Sequence, residues 1–263
     1  MDISRMIVKR GVHVYGLLIV IEGFMKRIEE VLRRISGVVS NIYFVNYHPL
    51  PNDKSRLIVY FDVKDPKVID EMVSDILRLG FVEDVKVLKP KIPGLLIDTE
   101  SFPLRMGVKQ RAIVFGDIIY RGLLRESRRR FGSTAEAFLF YLGLFSGEEA
   151  ARSDMELAFQ LNIRDPVLVF STITAPLMKA LGYCSIEIVK IEPENTSIIR
   201  VYDSFECEIG KPSDKPFSHF LRGFIAGLFS GLFKQKYTVK ETKCIAKGDP
   251  YCEFIITRVQ PVL

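Results

Sequence analysis

Tryptophan is absent from this 263-residue chain, histidine occurs three times and cysteine four times. The first apolar run, Tyr15–Ile21, is only seven residues long. That is far below the roughly 18 residues a membrane helix needs. Residues 1–11 are charged and carry no secretory pattern. The expectation is a cytoplasmic protein with no membrane association. The chain also lacks a nucleophile elbow, a P-loop, a metalloprotease motif and a dinucleotide fingerprint. With no redox-cofactor site either, the expectation is that it is not an enzyme. The net charge of +5 is mild and dispersed, and no recognition-helix, zinc-finger or RNP signature accompanies it. The Arg125–Arg130 run sits at the end of an expected helix, where cations complement the helix dipole. Nucleic acid is therefore not an expected partner. Asn and Gln are scarce while Lys, Arg, Glu, Ile and Val are plentiful, a balance found in thermophile proteins. In most cytosols four cysteines stay reduced, which favours ligand or core roles. Intracellular proteins of hyperthermophiles do use disulfides, so a Cys244–Cys252 disulfide also stands as a reading.

What is present is ordinary globular material, with 48% hydrophobic and 26% charged residues. The length suits one large or two modest domains. Residues 1–90 alternate as βαββαβ. Strands are expected at Val12–Ile21, Val38–Tyr47, Arg56–Val63 and Phe81–Leu88. An amphipathic helix spans Phe24–Ser36, with Ile28, Val31, Leu32 and Ile35 at helical spacing. A second opens at Pro66 and ends at Gly80. His13 and His48 stand apart from any acidic or cysteine partner and read as surface or loop residues. Lys89–Gly94 reads as a linker. Beyond it the pattern gives short strands at Leu95–Ile97 and Arg111–Phe115, then helices at Gly116–Phe131, Thr134–Arg152 and Pro166–Leu181. Strands at Cys184–Ile191 and Ser197–Glu206 and a long helix at Phe217–Lys234 follow. A closing hairpin ends the chain.

Two constellations carry chemistry. The hairpin turns at Gly248-Asp249-Pro250 and places Glu241, Cys244 and Cys252 on its arms. Two thiolates and a carboxylate brought together are three of the four ligands of a zinc tetrahedron. The same residues would also serve as small buried groups in a strand pair. The second constellation is glycine spacing. Gly223, Gly227 and Gly231 recur every fourth residue in one helix, and Gly143 and Gly147 in another. Each helical glycine costs about 1 kcal/mol against alanine, so a close backbone or a ligand must offset it. Aromatic residues surround both sets: Phe138, Tyr141 and Phe145 on one helix, Phe220 and Phe224 on the other. With Gly227 these form a candidate pocket for an apolar or aromatic ligand. A tight helix contact is the alternative.

The N-terminal order and length resemble the ACT domains of amino-acid metabolism, with Glu22-Gly23 in the turn where those domains favour glycine. Residues 94–260 resemble the vinyl-reductase domain family. The likeness rests on Gly143 and Gly147, Leu181-Gly182-Tyr183, Val201–Glu206, the glycine-spaced helix and the Glu241-Thr-Lys-Cys244…Cys252 motif. The resemblance implies an α+β chain in which a ferredoxin-like domain precedes a mixed domain of helices on an antiparallel sheet. It implies a small hydrophobic or aromatic ligand, a homodimer and a structural zinc. By position, Glu241, Cys244 and Cys252 match zinc ligands. The family's fourth ligand, a cysteine at the start of the glycine-spaced helix, is replaced here by Ser218, with His219 as the substitute. The resulting expectation is a ligand-sensing regulatory protein whose output passes through a protein partner. An adaptor resembling vesicle-tethering subunits, a reductase-associated subunit and a transcriptional regulator are the alternatives.

Overall fold

The computed structural model describes residues 5–23, 26–107 and 110–260. The expected start of the first helix at Phe24 lies outside them. The chain divides into two compact units, Met1–Ile113 and Val114–Leu263. No described helix is long and apolar enough to cross a membrane.

The first unit opens with β1 (Met6–Val8) and β2 (His13–Glu22), then α1 (Lys26–Ser36), β3 (Asn41–Pro49) and β4 (Lys54–Val63). α2 (Val68–Leu77), β5 (Val82–Leu88), β6 (Leu95–Ile97), β7 (Arg105–Met106) and β8 (Gln110–Arg111) complete it. The main sheet is antiparallel in the order β3-β4-β2-β5, a split βαββαβ arrangement. β4 is apolar on both faces because both are covered. Leu57, Val59 and Phe61 pack with Ile28, Val31 and Ile35 of α1 and Ile69, Met72 and Ile76 of α2. Ile58 and Tyr60 face the other way and pack with Ile7 of β1 and Leu96 of β6. Leu95–Ile97, grouped by sequence with the C-terminal part, therefore pairs with β1, with Ile7 opposite Leu96. The turn before it needs glycine. Gly94 has φ +77° and a Cβ there would overlap Lys9 O.

The second unit begins with α3 (Asp117–Tyr120), a π-helical stretch Arg121–Glu126 and α4 (Ser127–Phe131). The long α5 (Ser133–Gln160) follows, then α6 (Pro166–Val169), a second π-helical stretch Phe170–Thr174 and α7 (Ala175–Ala180). β9 (Ser185–Lys190), β10 (Thr196–Tyr202), α8 (Phe205–Gly210), α9 (His219–Phe233), β11 (Tyr237–Lys243) and β12 (Cys252–Arg258) close the chain. The sheet is antiparallel, ordered β11-β12-β10-β9. α6 starts where Asp165 accepts a hydrogen bond from Val167 N at 2.9 Å, with Pro166 in the first turn. Three expectations are corrected. Of the strand expected at Arg111–Phe115, only Arg111 is in strand. α5 runs on to Gln160 rather than ending at Arg152. The strand expected to reach Glu206 ends at Tyr202, because Asp203 turns the chain at φ +52° and Ser204 caps a short helix.

Candidate metal centre and apolar cavity

The β11–β12 hairpin aligns Glu241 with Phe254 and Lys243 with Glu253, leaving a bulge at Thr242. Cys244 follows β11, a 3-10 turn spans Ile245–Lys247, and Cys252 begins β12. Asp249 ties the loop by accepting Cys244 N–H at 2.8 Å. α8 brings Cys207 to the same place. The ligand atoms of Cys207, Glu241, Cys244 and Cys252 all lie within 4.8 Å of one another. Cys207 Sγ is 3.5 Å from Cys244 Sγ and 3.4 Å from Cys252 Sγ. All three thiols are fully buried, and all four cysteines of the chain are free.

Main-chain donors surround the group. Phe217 N–H donates to Cys244 Sγ at 3.4 Å, and Ile245 N–H to Cys252 Sγ at 3.3 Å. Ser218 donates to Glu241 from its hydroxyl at 2.8 Å and its amide at 3.3 Å. Its hydroxyl is 3.0 Å from Cys207 Sγ. Ser218 thus orients the carboxylate while Cys207 supplies the third sulfur. His219 is not part of the group. Its Nε2 lies 3.8 Å from Glu136 Oε2 instead. Side chains of neighbouring residues on a helix diverge by about 100°, and Ser218 takes the direction toward the cluster.

The electrostatics favour a cation. Cys244 is held below its usual range because Cys207 and Cys252 donate to it, with Phe217 N–H assisting. Cys207 is pushed up to about 12, first by its bond to Cys244, and Cys252 is raised by Cys207 and Cys244. Glu241 is pushed up to about 8, first by burial and then by the charge on Cys244. Left to itself the cluster carries one negative charge and keeps its other protons at neutral pH. A bound divalent cation releases those protons. Three sulfurs and one carboxylate oxygen suit a thiophilic, tetrahedral ion.

The glycine-spaced helices are in backbone contact. A Cβ on Gly143 would overlap Phe220 O, on Gly147 Phe224 O, on Gly223 Phe140 O and on Gly227 Leu144 O. Nothing fits between α5 and α9 along this seam, so Gly227 serves the helix crossing rather than a ligand there. The apolar cavity lies to one side. It measures about 340 Å³ and is lined by Tyr120, Leu123 and Leu124, by Phe138 and Leu142 of α5, and by Phe205 and Phe220. Of the residues expected to hold a ligand, Phe138 and Phe220 line it. Tyr141 and Phe145 lie exposed on α5, their ring centroids 6.3 Å apart. Phe224 stacks on Phe220 and on Tyr183. Tyr120 and the Leu123–Leu124 pair escaped sequence reading because they belong to a helix whose π-helical stretch breaks the 3.6-residue period. Such stretches recur at functional sites.

Metal cluster and cavity share a short helix. Phe205 lines the cavity, Glu206 is fully buried, and Cys207 joins the thiols. Glu206 accepts hydrogen bonds from Phe220 N at 3.0 Å and Leu221 N at 2.8 Å. It pairs with Arg128. Burial raises the pKa of Glu206, against the opposing charge of Arg128.

This unit is an α+β domain of helices on an antiparallel sheet, with a buried three-thiol, one-carboxylate cluster at its closing hairpin. Residues 197–258 match the family model of the vinyl-4-reductase domain, and the chain carries such a domain there. An uncharacterized protein of Methanocaldococcus jannaschii is 34% identical over 82 residues, which cover 31% of this chain and 47% of that protein. The chain spans under half the length of the curated relatives it matches. Among solved structures, the phenol-responsive sensory domain of the transcription activator PoxR, bound to phenol, has a similar fold. The TM-score is 0.53 at 17% identity, covering 59% of this chain and 85% of that one. A vinyl-4-reductase family protein from Methanocaldococcus jannaschii aligns with a TM-score of 0.40 at 17% identity, over 57% of this chain and 85% of its own.

Proposed function

We propose that the second unit is a non-enzymatic, ligand-sensing domain that takes a small apolar or aromatic molecule into the cavity beside α5. The observation that carries this reading is the cavity itself. It is walled almost entirely by aromatic and aliphatic side chains and is large enough for a ring compound. The PoxR sensory domain, which shares the fold, was solved with phenol, and phenol is a compound of this class. Zinc is the ion we assign to Cys207, Glu241, Cys244 and Cys252, in a structural role. It would fix α8 and with it Phe205 of the cavity wall. Free buried thiols at this spacing fit a reducing compartment such as the cytoplasm. Phe131, Tyr141, Phe145 and Phe159 are each more than half exposed. A second copy of the chain covering them is the assembly we propose.

Calorimetric titration of the purified protein with phenol, toluene and indole tests the reading. At least one should bind saturably at one site per chain. Leu142→Trp, which fills the cavity from a partly exposed position, should abolish that binding without unfolding the protein. No saturable binding by any of the three, or binding untouched by Leu142→Trp, refutes the reading.

A further inference from the structure

The first unit holds a cavity of a different kind. It measures about 440 Å³ and lies on the sheet face opposite the helices. Its floor is a block of two cross-strand pairs, Asn46 opposite Ile58 and His48 opposite Arg56. Alternation along each strand puts these four side chains on one face. Its other wall is the segment 100–105. That segment is anchored by Asp98, which accepts Glu100 N–H and Ser101 N–H, both at 3.1 Å, and pairs with Arg5 at 2.5 Å.

Two polar groups in this cavity lack partners. Arg56 has its Nε buried without a hydrogen bond, and its guanidinium makes no ion pair among the described residues. Ser101 Oγ is likewise buried without a well-formed bond. The neighbouring charges are committed elsewhere. Arg5 is held by Asp98, and Glu100 pairs with Lys86 at 3.0 Å. A guanidinium partly withdrawn from water with no counter-charge is costly. Its planar fork matches the two oxygens of a carboxylate or phosphate. Arg105 adds a further cation to the lining, and Ile58, Phe102, Pro103 and Leu104 add apolar surface.

We infer that this cavity binds a small organic anion. Its carboxylate or phosphate pairs with Arg56, Ser101 donates a hydrogen bond to it, and its short apolar body rests on Phe102 and Leu104. The site is separate from the Glu22-Gly23 turn, where Arg27 donates to Glu22 O at 2.5 Å and a Cβ on Gly23 would meet the Arg27 side chain. It is independent of the ligand reading for the second unit.

The test is an NMR titration of the full chain at constant ionic strength, with inorganic phosphate in one arm and propionate in the other. The Arg56 Nε–H and Ser101 amide resonances should move together and saturate in at least one arm. Saturation with phosphate alone assigns a phosphate ligand, and with propionate alone a carboxylate. Arg56→Gln should raise the half-saturation concentration read at Ser101 at least tenfold, whereas Lys64→Gln, an exposed cation outside the cavity, should leave it unchanged. Saturation in neither arm, or an unaltered midpoint in Arg56→Gln, overturns the inference. Should Arg56→Gln fail to fold, the native Arg56 resonance decides alone: a non-saturating drift equal to that given by sodium chloride overturns it.

Discussion

Arg128 and Glu206 form an ion pair in the interior of the second unit, with side chains 7% and 0% exposed. The guanidinium also donates to Phe217 O at 2.9 Å and lies 3.9 Å from the centroid of the Phe217 ring. The pair thus joins α4, α8 and the segment leading into α9. Breaking a buried pair from one side strands a charge, at a cost of about 3–5 kcal/mol. Glu206→Gln should lower stability in chemical denaturation by that order. The double variant Arg128→Met with Glu206→Gln should recover part of the loss.

The glycine seam makes a sharper stability prediction. Gly147→Ala places a Cβ against the backbone of α9, within 2.8 Å of Leu228 N. Backbone cannot give way as a side-chain tip can, so we expect a loss of about 3 kcal/mol or more. Gly122 has open space at the Cβ position. Gly122→Ala should be neutral or stabilising by about 0.4–1 kcal/mol. Denaturant midpoints of the two variants check both directions.

For the thiol cluster, elemental analysis is decisive. The native protein should carry one zinc per chain, and Cys207→Ser should lose it. Adding Ser218→Cys to that variant should restore binding, because the hydroxyl of Ser218 already lies 3.0 Å from Cys207 Sγ and 2.8 Å from Glu241. Removing the metal with a chelator should lower the melting temperature of the native protein. It should have far less effect on Cys207→Ser.

His219 sets an acid limit. Its pKa is lowered to about 4, first by burial and then by the charge of Arg128, with Arg222 and Lys215 adding to this and Glu136 opposing it. An unfolded histidine titrates near 6.5. Between pH 6.5 and 4 the unfolded chain therefore takes up a proton that the folded chain refuses. Stability from this residue is full above about pH 6.5 and falls as pH drops toward 4, by about 3 kcal/mol in total. Urea midpoints at pH 7, 5.5 and 4.5 should decline less in His219→Gln than in the native protein.

Much of the architecture was legible because its signals are local. Ile28, Val31 and Ile35 recur at helical spacing, and their stripe faces the sheet as the period demands. The Glu241, Cys244 and Cys252 set was visible because a hairpin turn fixes which residues meet. Cys207 was not, since its arrival depends on Asp203 turning the chain and Ser204 capping a six-residue helix. Apolar residues on both sides of that break read as one continuous strand. The glycine spacing pointed correctly to something very close. Whether that something was a ligand or another backbone is a property of two helices distant in sequence, and neither helix alone records it.

The seam between α5 and α9 has a mechanical side. Each glycine of one helix lies under a carbonyl of the other, at intervals of four residues. Sliding either helix by one position would drive a side chain such as Leu144 or Phe224 into that backbone. The two helices are toothed together with a single seat, so a push on one is carried by both. The cavity wall made by Phe138 and Phe220 then behaves as one rigid jaw, and the hinge side is the irregular helix that carries Leu123 and Leu124.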